Sequence, residues 1–263
     1  MHDFAGQRGL ITGASSGIGA AFAEELAARG MNLVLVARSK EKLTELAERL
    51  EGRHGVNIQV IAADLAVPGA GGHLATDIAH RGLVIDVLVN SAGFAMHGRF
   101  VDADQSRVAE QVALNVGAVV DLTGRFLPAM VERGRGAVIN VASTAGLQPT
   151  PYMAVYGATK AFVLSYSEAL WAETRATGVE VLALCPGATE TSFFDVVGTD
   201  AASVGKRQTP QQVVRTALRA LRRRRPSVVS GRANALLARL PRLLPRAVTV
   251  RISERALRPG PAH

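Results

Sequence analysis

The chain has 263 residues, of which 48% are hydrophobic and 20% charged. This composition excludes a disordered tail protein, and the one cysteine, Cys185, excludes an internal disulfide and a cysteine-based metal cluster. The net charge of +8 is unevenly placed: residues 201–263 hold fifteen basic residues against Glu254 alone, net +14, whereas the first two hundred hold fifteen basic and twenty-one acidic, net −6. A nucleic-acid signature spread over the whole chain is therefore excluded, and no recognition motif or aromatic stacking platform accompanies the arginines. The N-terminus has no apolar secretory core, and no stretch reaches about 18 uninterrupted apolar residues, so a cytoplasmic protein without a spanning helix is expected.

Short apolar runs alternate with longer helical patterns. Strands are predicted at Gly9–Ile11, Asn32–Ala37, Asn57–Ala62, Val84–Asn90, Ala137–Val141, Val181–Cys185 and Ser227–Val229. Helices are predicted at Gly17–Arg29, Lys40–Glu51, Gly69–Arg81, Ser106–Glu132, Val155–Thr177 and Pro210–Arg223. Near-continuous apolar strands are those covered on both faces, so the alternation predicts an α/β fold of the Rossmann type. The expected architecture is a doubly wound parallel sheet with helices on both faces, in a single domain over 1–230. A basic amphipathic extension follows over 231–263.

The motifs fall in chain order. Thr12-Gly13-Ala14-Ser15-Ser16-Gly17-Ile18-Gly19 follows the first strand and opens a helix, where backbone N–H groups and the helix dipole suit a pyrophosphate. About twenty residues on, where NAD-binding units carry an acid for the ribose 2′-OH, this chain has Ala37 followed by Arg38. A guanidinium there suits a 2′-phosphate and points to NADP(H). Asn90-Ser91-Ala92-Gly93 ends the fourth strand, with residues small enough for a cofactor to pass close to the backbone. Tyr156 and Lys160 lie four apart, on one helix face. A neighbouring ammonium lowers a phenol's pKa from its usual value of about 10 by favouring phenolate. The chain has three tyrosines, of which only Tyr156 has lysine at the fourth position, and Ser143 follows the fifth strand at the same end of the sheet.

Taken together, Thr12-Gly13-x3-Gly17-x-Gly19, Asp64, Asn90-Ser91-Ala92-Gly93, Asn115, Ser143, Tyr156-x3-Lys160 and Pro186-Gly187 resemble the short-chain dehydrogenase/reductase family over roughly residues 6–225. Ser91 departs from the second asparagine most common there. The resemblance implies an NADP-dependent oxidoreductase interconverting a carbonyl and a secondary alcohol, with no metal. Tyr156 would be the general acid/base, Lys160 would lower its pKa and bind the nicotinamide ribose, and Ser143 would orient the substrate oxygen. Asn115 would hold a water linking Lys160 to solvent. Gly13, Ser15, Ser16, Gly17, Ile18, Gly19 and Arg38 would hold the phosphates, and Asp64 with Leu65 the adenine. Asn90, Ala92, Gly93, Pro186, Gly187, Thr189 and Thr191 would line the rest of the cofactor site. A non-catalytic NADP-binding redox sensor is the rival reading; the full set of Asn115, Ser143, Tyr156 and Lys160 argues against it.

Residues 188–208 fall where the family carries its substrate lid. Phe193 and Phe194, with Phe94, Met96, Gln148, Tyr152 and Met153, would give a largely apolar pocket for a bulky carbonyl or alcohol. His97 reads as a solvent-exposed loop residue and Cys185 as a buried strand residue. Leu236, Leu237, Leu240, Leu243, Leu244 and Val248 trace one helical face, interrupted by Pro241 and Pro245. That face is expected to dock on the protein's own core or a second subunit, with an anionic membrane surface as the alternative. The resemblance also implies a homodimer or homotetramer, paired through the helices that carry Asn115 and Tyr156.

Overall fold

Apolar side chains alternate between the two faces of each strand, and helices cover both. The computed structural model describes residues 4–191, 207–238 and 244–259. Among them, β1 (Arg8–Thr12), β2 (Asn32–Ala37), β3 (Ile58–Ala62), β4 (Val87–Asn90), β5 (Gly136–Val141), β6 (Val179–Cys185) and β7 (Ser227–Val229) form one parallel sheet. Its order is β3-β2-β1-β4-β5-β6-β7. Ile11, Leu33, Leu35, Val89 and Ile139 point into one core, and their neighbours Leu10, Val34, Val36, Leu88 and Val138 into the other. The first core is sealed by α1 (Gly17–Ala27), α2 (Lys40–His54) and α7 (Pro210–Arg222). Residues of α3 (Ala70–His80), α5 (Ala118–Glu132) and α6 (Ala154–Thr174) pack on the opposite face. β1 pairs with β2 on one side and β4 on the other. Strand order therefore reverses there, leaving a crevice beyond the carboxyl ends of β1 and β4.

Local chemistry sets several boundaries. Thr209 caps α7 by accepting from Gln212 N, while the Gln212 side chain accepts from Thr209 N, with Pro210 in the first turn. β4 starts at Val87 rather than Val84 because Val84 is half exposed and the Asp86 carboxylate accepts from Arg8 N, 3.1 Å away at the start of β1. β6 starts two residues earlier than expected, carrying buried Glu180 within 3.4 Å of Arg224.

Two larger differences bear on the site. The single helix expected over 106–132 is instead α4 (Gln105–Val112), a π-helical turn over Ala113–Gly117, and α5. One wide turn rotates the side chains that follow it, and such turns gather at functional positions; this one contains Asn115. The run Gln105–Glu132 has a window of mean hydropathy 1.2, the length and composition of a spanning helix, although none was expected.

The C-terminal leucines do not form one docked face. Leu236 and Leu237 lie on α8 (Arg232–Leu237), exposed like Leu244 and Val248, while Leu240, Pro241 and Leu243 lie outside the described residues. Pro245 starts a new helix, α9 (Arg246–Leu257), whose buried residues are Thr249, Ser253 and Leu257. The described members of that face are thus not packed into the chain's own core, and Pro245 separates the two helices that carry them, as its missing N–H requires.

Candidate active site

A cavity of about 800 Å³ lies along the carboxyl ends of the strands. One end is walled by the turn after β1, where Gly13, Ser15, Ser16, Gly17, Ile18 and Gly19 all contribute. The turn is tight: a Cβ on Gly19 would lie 2.2 Å from the Gly13 carbonyl oxygen. Thr12 ties this turn to the neighbouring strand end, its hydroxyl accepting from Ser91 N at 3.0 Å and Ala92 N at 3.1 Å. That clamp sets Ala92 and Gly93 against the cavity.

Arg38, beyond β2, also lines the cavity. Its side chain is 71% exposed, with Nη1 3.7 Å from Glu110 Oε1. Sequence reasoning missed its companions Ser39, Lys42 and Arg107. Arg107 pairs with Glu110 and stacks over the Phe94 ring, 4.5 Å from its centroid. Lys42 was legible as one turn of helix from Ser39, whereas Arg107 arrives from α4 and had no local signal. Asp64 and Leu65 stand on the wall after β3, and Pro186, Gly187, Thr189 and Thr191 close the site beyond β6.

The middle of the cavity holds Ser143, Tyr156 and Lys160. The short helical turn over Thr144–Leu147 lies directly on α6: a Cβ on Gly146 would fall 2.6 Å from the Lys160 backbone. This close approach brings the Ser143 hydroxyl into a hydrogen bond with Tyr156. Burial pushes the Tyr156 phenol up to about 12, opposed by the Ser143 bond. The same burial pushes Lys160 down to about 8. Lys160 Nζ donates to Val141 O at 2.7 Å and lies 5.8 Å from the Tyr156 ring centroid. The expected lowering of the phenol pKa is thus not what dominates here: desolvation wins, and the ammonium faces the ring and a strand carbonyl.

Two predicted residues stand behind the cavity rather than on it. Asn115, fully buried, accepts from Phe94 N at 3.1 Å and donates to Phe94 O at 2.9 Å and Thr159 Oγ1 at 3.1 Å. Its amide is engaged in clamping the Phe94 loop to α6. Asn90 donates to Asn140 Oδ1 at 2.8 Å and Thr123 Oγ1 at 3.2 Å, a polar tie between β4, β5 and α5.

The far end of the cavity combines Phe94, Gln148 and Met153 with residues of α8 and α9. Met96 and Tyr152 are absent from the lining, while Phe193, Phe194 and most of the expected lid lie outside the described residues. His97 is half-buried rather than solvent-exposed, with Nε2 2.8 Å from Leu257 O. Its neighbour Tyr152 sits at a left-handed φ of 65° and hydrogen-bonds Arg258. These contacts fasten the end of α9 to the loops beside Tyr156.

A family profile described as short chain dehydrogenase matches residues 8–202. The chain belongs to the short-chain dehydrogenase family. Among its relatives there, the very-long-chain 3-oxoacyl-CoA reductase of Anas platyrhynchos is 35% identical over 80% of this chain and 67% of that protein. The 7beta-hydroxysteroid dehydrogenase of Mediterraneibacter gnavus is 34% identical, covering 87% of this chain and 88% of that one. A solved short-chain dehydrogenase from Sphingobium yanoikuyae in complex with NADPH superposes with a TM-score of 0.80 at 36% identity, over 90% of this chain and 94% of that one.

Proposed function

We propose that this member of the family reduces bulky hydrophobic ketones, with Tyr156 as the proton donor. It is an oxidoreductase acting on CH–OH groups, and NADP(H) is its cofactor. The cavity's own chemistry fits that group. Arg38, Lys42 and Arg107 place positive charge where a 2′-phosphate would sit, and the first turn of α1 presents backbone to a pyrophosphate. Asp64 is available to the adenine, and Lys160 to the nicotinamide ribose.

The observation that carries the reading is the hydrogen bond between the half-buried Ser143 hydroxyl and the buried Tyr156 hydroxyl within this cavity. Bound NADPH supplies the hydride. Tyr156 holds a proton throughout the physiological range and gives it to the carbonyl oxygen as negative charge develops there. Ser143 donates to the same oxygen, and Asn115 keeps the Phe94 loop in register with α6. Support for a bulky apolar substrate comes from Phe94, Leu147, Met153, Leu237, Leu244 and Ile252 around the far end. The names of the relatives, an oxoacyl-CoA reductase and a hydroxysteroid dehydrogenase, point the same way.

The test is NADPH oxidation against a panel of ketones and sugars. Large apolar ketones should give the highest kcat/KM, and Tyr156→Phe should lower kcat by about 100-fold or more with NADPH still bound. Faster turnover of small polar sugars would overturn the substrate class, and an active Tyr156→Phe protein the assignment of the acid.

We also infer a homodimer or homotetramer paired through α4, α5 and α6. Support comes from Val112, Val120 and Phe162, which stand exposed on those helices. A weak contact between the C-terminal segment and an anionic membrane is supported by exposed Leu236 and Val248, which lie off the cavity wall, and by exposed Arg232, Arg246, Arg251 and Arg255. The division of the chain at residue 230 into catalytic body and extension belongs to the same reading, with α8 and α9 completing the cavity.

A further inference from the structure

The buried side of α9 carries hydroxyls. Thr249, Ser253 and Leu257, spaced four apart on one face, are only 5%, 4% and 6% exposed, and all three line the cavity. Val248, which hydrophobicity would send inward, is exposed and off the cavity wall. A buried serine or threonine inside a helix ordinarily donates to the carbonyl four residues back. On α6, Ser167 does so to Val163 O at 2.6 Å and Thr174 to Leu170 O at 2.9 Å. On α9, Thr249 reaches Pro245 O only at 3.5 Å, and Ser253 makes no side-chain hydrogen bond among the described residues. Two other polar side chains of the same wall are engaged within the protein: Thr150 donates to Met153 O at 3.2 Å and Asn234 to Ser230 O at 2.9 Å. Buried hydroxyls with weak or absent protein partners, facing a cavity, are poised to bond what enters it.

Their distance from the proton donor sets what that can be. Leu257 is held by His97, on the loop whose Ala95 packs with Met153 and Tyr156. At the helical rise, Ser253 lies roughly 6 Å and Thr249 roughly 12 Å along α9 from that anchored end. We propose that Thr249 and Ser253 bind a second oxygen on the substrate, so that this enzyme prefers rigid hydrophobic ketones carrying a hydroxyl or carbonyl remote from the reacting one. The proposal rests on the reading of this cavity as the site of carbonyl reduction. Leu237, Ala238, Leu244, Ile252 and Ala256 supply the surrounding apolar wall, and the two hydroxyls set which way round the molecule lies.

The test compares a tetracyclic monoketone with the same ring system bearing a hydroxyl on the ring farthest from the carbonyl. Wild-type protein is measured with NADPH beside Thr249→Val, Ser253→Ala and the double variant. For the hydroxyketone, kcat/KM should fall about tenfold in the double variant, as loss of neutral hydrogen bonds implies. The loss should appear in KM with kcat unchanged, because the contact is the same in ground and transition states. The monoketone's constants should not move. Equal losses on both ketones, or none on either, overturn the inference while leaving carbonyl reduction intact. Failure of the wild type to reduce either ketone removes the catalytic reading and this inference with it. Thr249→Val is nearly isosteric, so it alone decides if the double variant melts early.

Discussion

Burial acts on Tyr156 and Lys160 in opposite directions on the pH scale and toward the same end, since each is driven to its uncharged form. The sign of each effect on stability follows. Between about 8 and the ordinary 10.5, the unfolded chain holds the Lys160 proton and the folded one does not, so this group's contribution to stability rises with pH. Tyr156 behaves inversely: the folded protein keeps a proton that the unfolded chain loses from 10.0 upward, and its contribution falls until about 12. Cofactor binding that needs the Lys160 ammonium should therefore weaken above pH 8. Fluorescence titration should show the NADPH Kd rising by up to about tenfold per pH unit there in the wild type, and a flat profile in Lys160→Met. A flat wild-type profile would mean that the ammonium does not contribute. The spacing of tyrosine and lysine was legible in the sequence because both lie on one uninterrupted helix. The reversal of the phenol's shift was not, because it depends on how the 143–153 segment and the Phe94 loop shut out water.

Strand positions were readable to within about three residues because both sheet faces are apolar and every strand is a nearly unbroken hydrophobic run. Elements whose geometry depends on a local break were harder. The π-helical turn at Ala113–Gly117 carries no proline or glycine pair to announce it, and its role shows only in the three hydrogen bonds of Asn115. On the C-terminal helices the leucine pattern and its two prolines were visible, but the buried face of α9 was not, because it carries Thr249 and Ser253 rather than leucines. His97 was underestimated because its partner is a backbone carbonyl 160 positions away. His97→Ala should loosen the end of α9. Limited trypsin digestion should cut at Arg251, Arg255 or Arg258 up to about tenfold faster, the range set by one neutral hydrogen bond. An unchanged cleavage rate would show that other contacts hold α9 in place.

At the scale of the whole molecule, charge and hydrophobicity are segregated. The net −6 of the first two hundred residues belongs largely to the body that holds the catalytic groups, and the net +14 of the last sixty-three lies largely on α7, α8, α9 and their flanks. This division was legible from counting alone; which surfaces stay apolar required the fold. Light scattering should give at least twice the 27.6 kDa chain mass, and Val120→Asp with Phe162→Asp should return the monomer. A wild-type monomer would exclude pairing through α5 and α6. Sedimentation with vesicles should show binding to anionic lipid at low salt that fades as salt is raised, as screened arginine contacts require. No binding to anionic vesicles at low salt would remove the membrane contact.

Cys185 ends β6 beside the cavity, buried, with its thiol pushed up to about 12 by desolvation. A thiol held protonated and out of solvent reacts slowly with maleimides. As it is the chain's one cysteine, the wild-type sequence is already a quiet background for site-specific labelling. A fluorophore on Arg251→Cys would then report on the surroundings of α9 alone, with no native cysteine first removed.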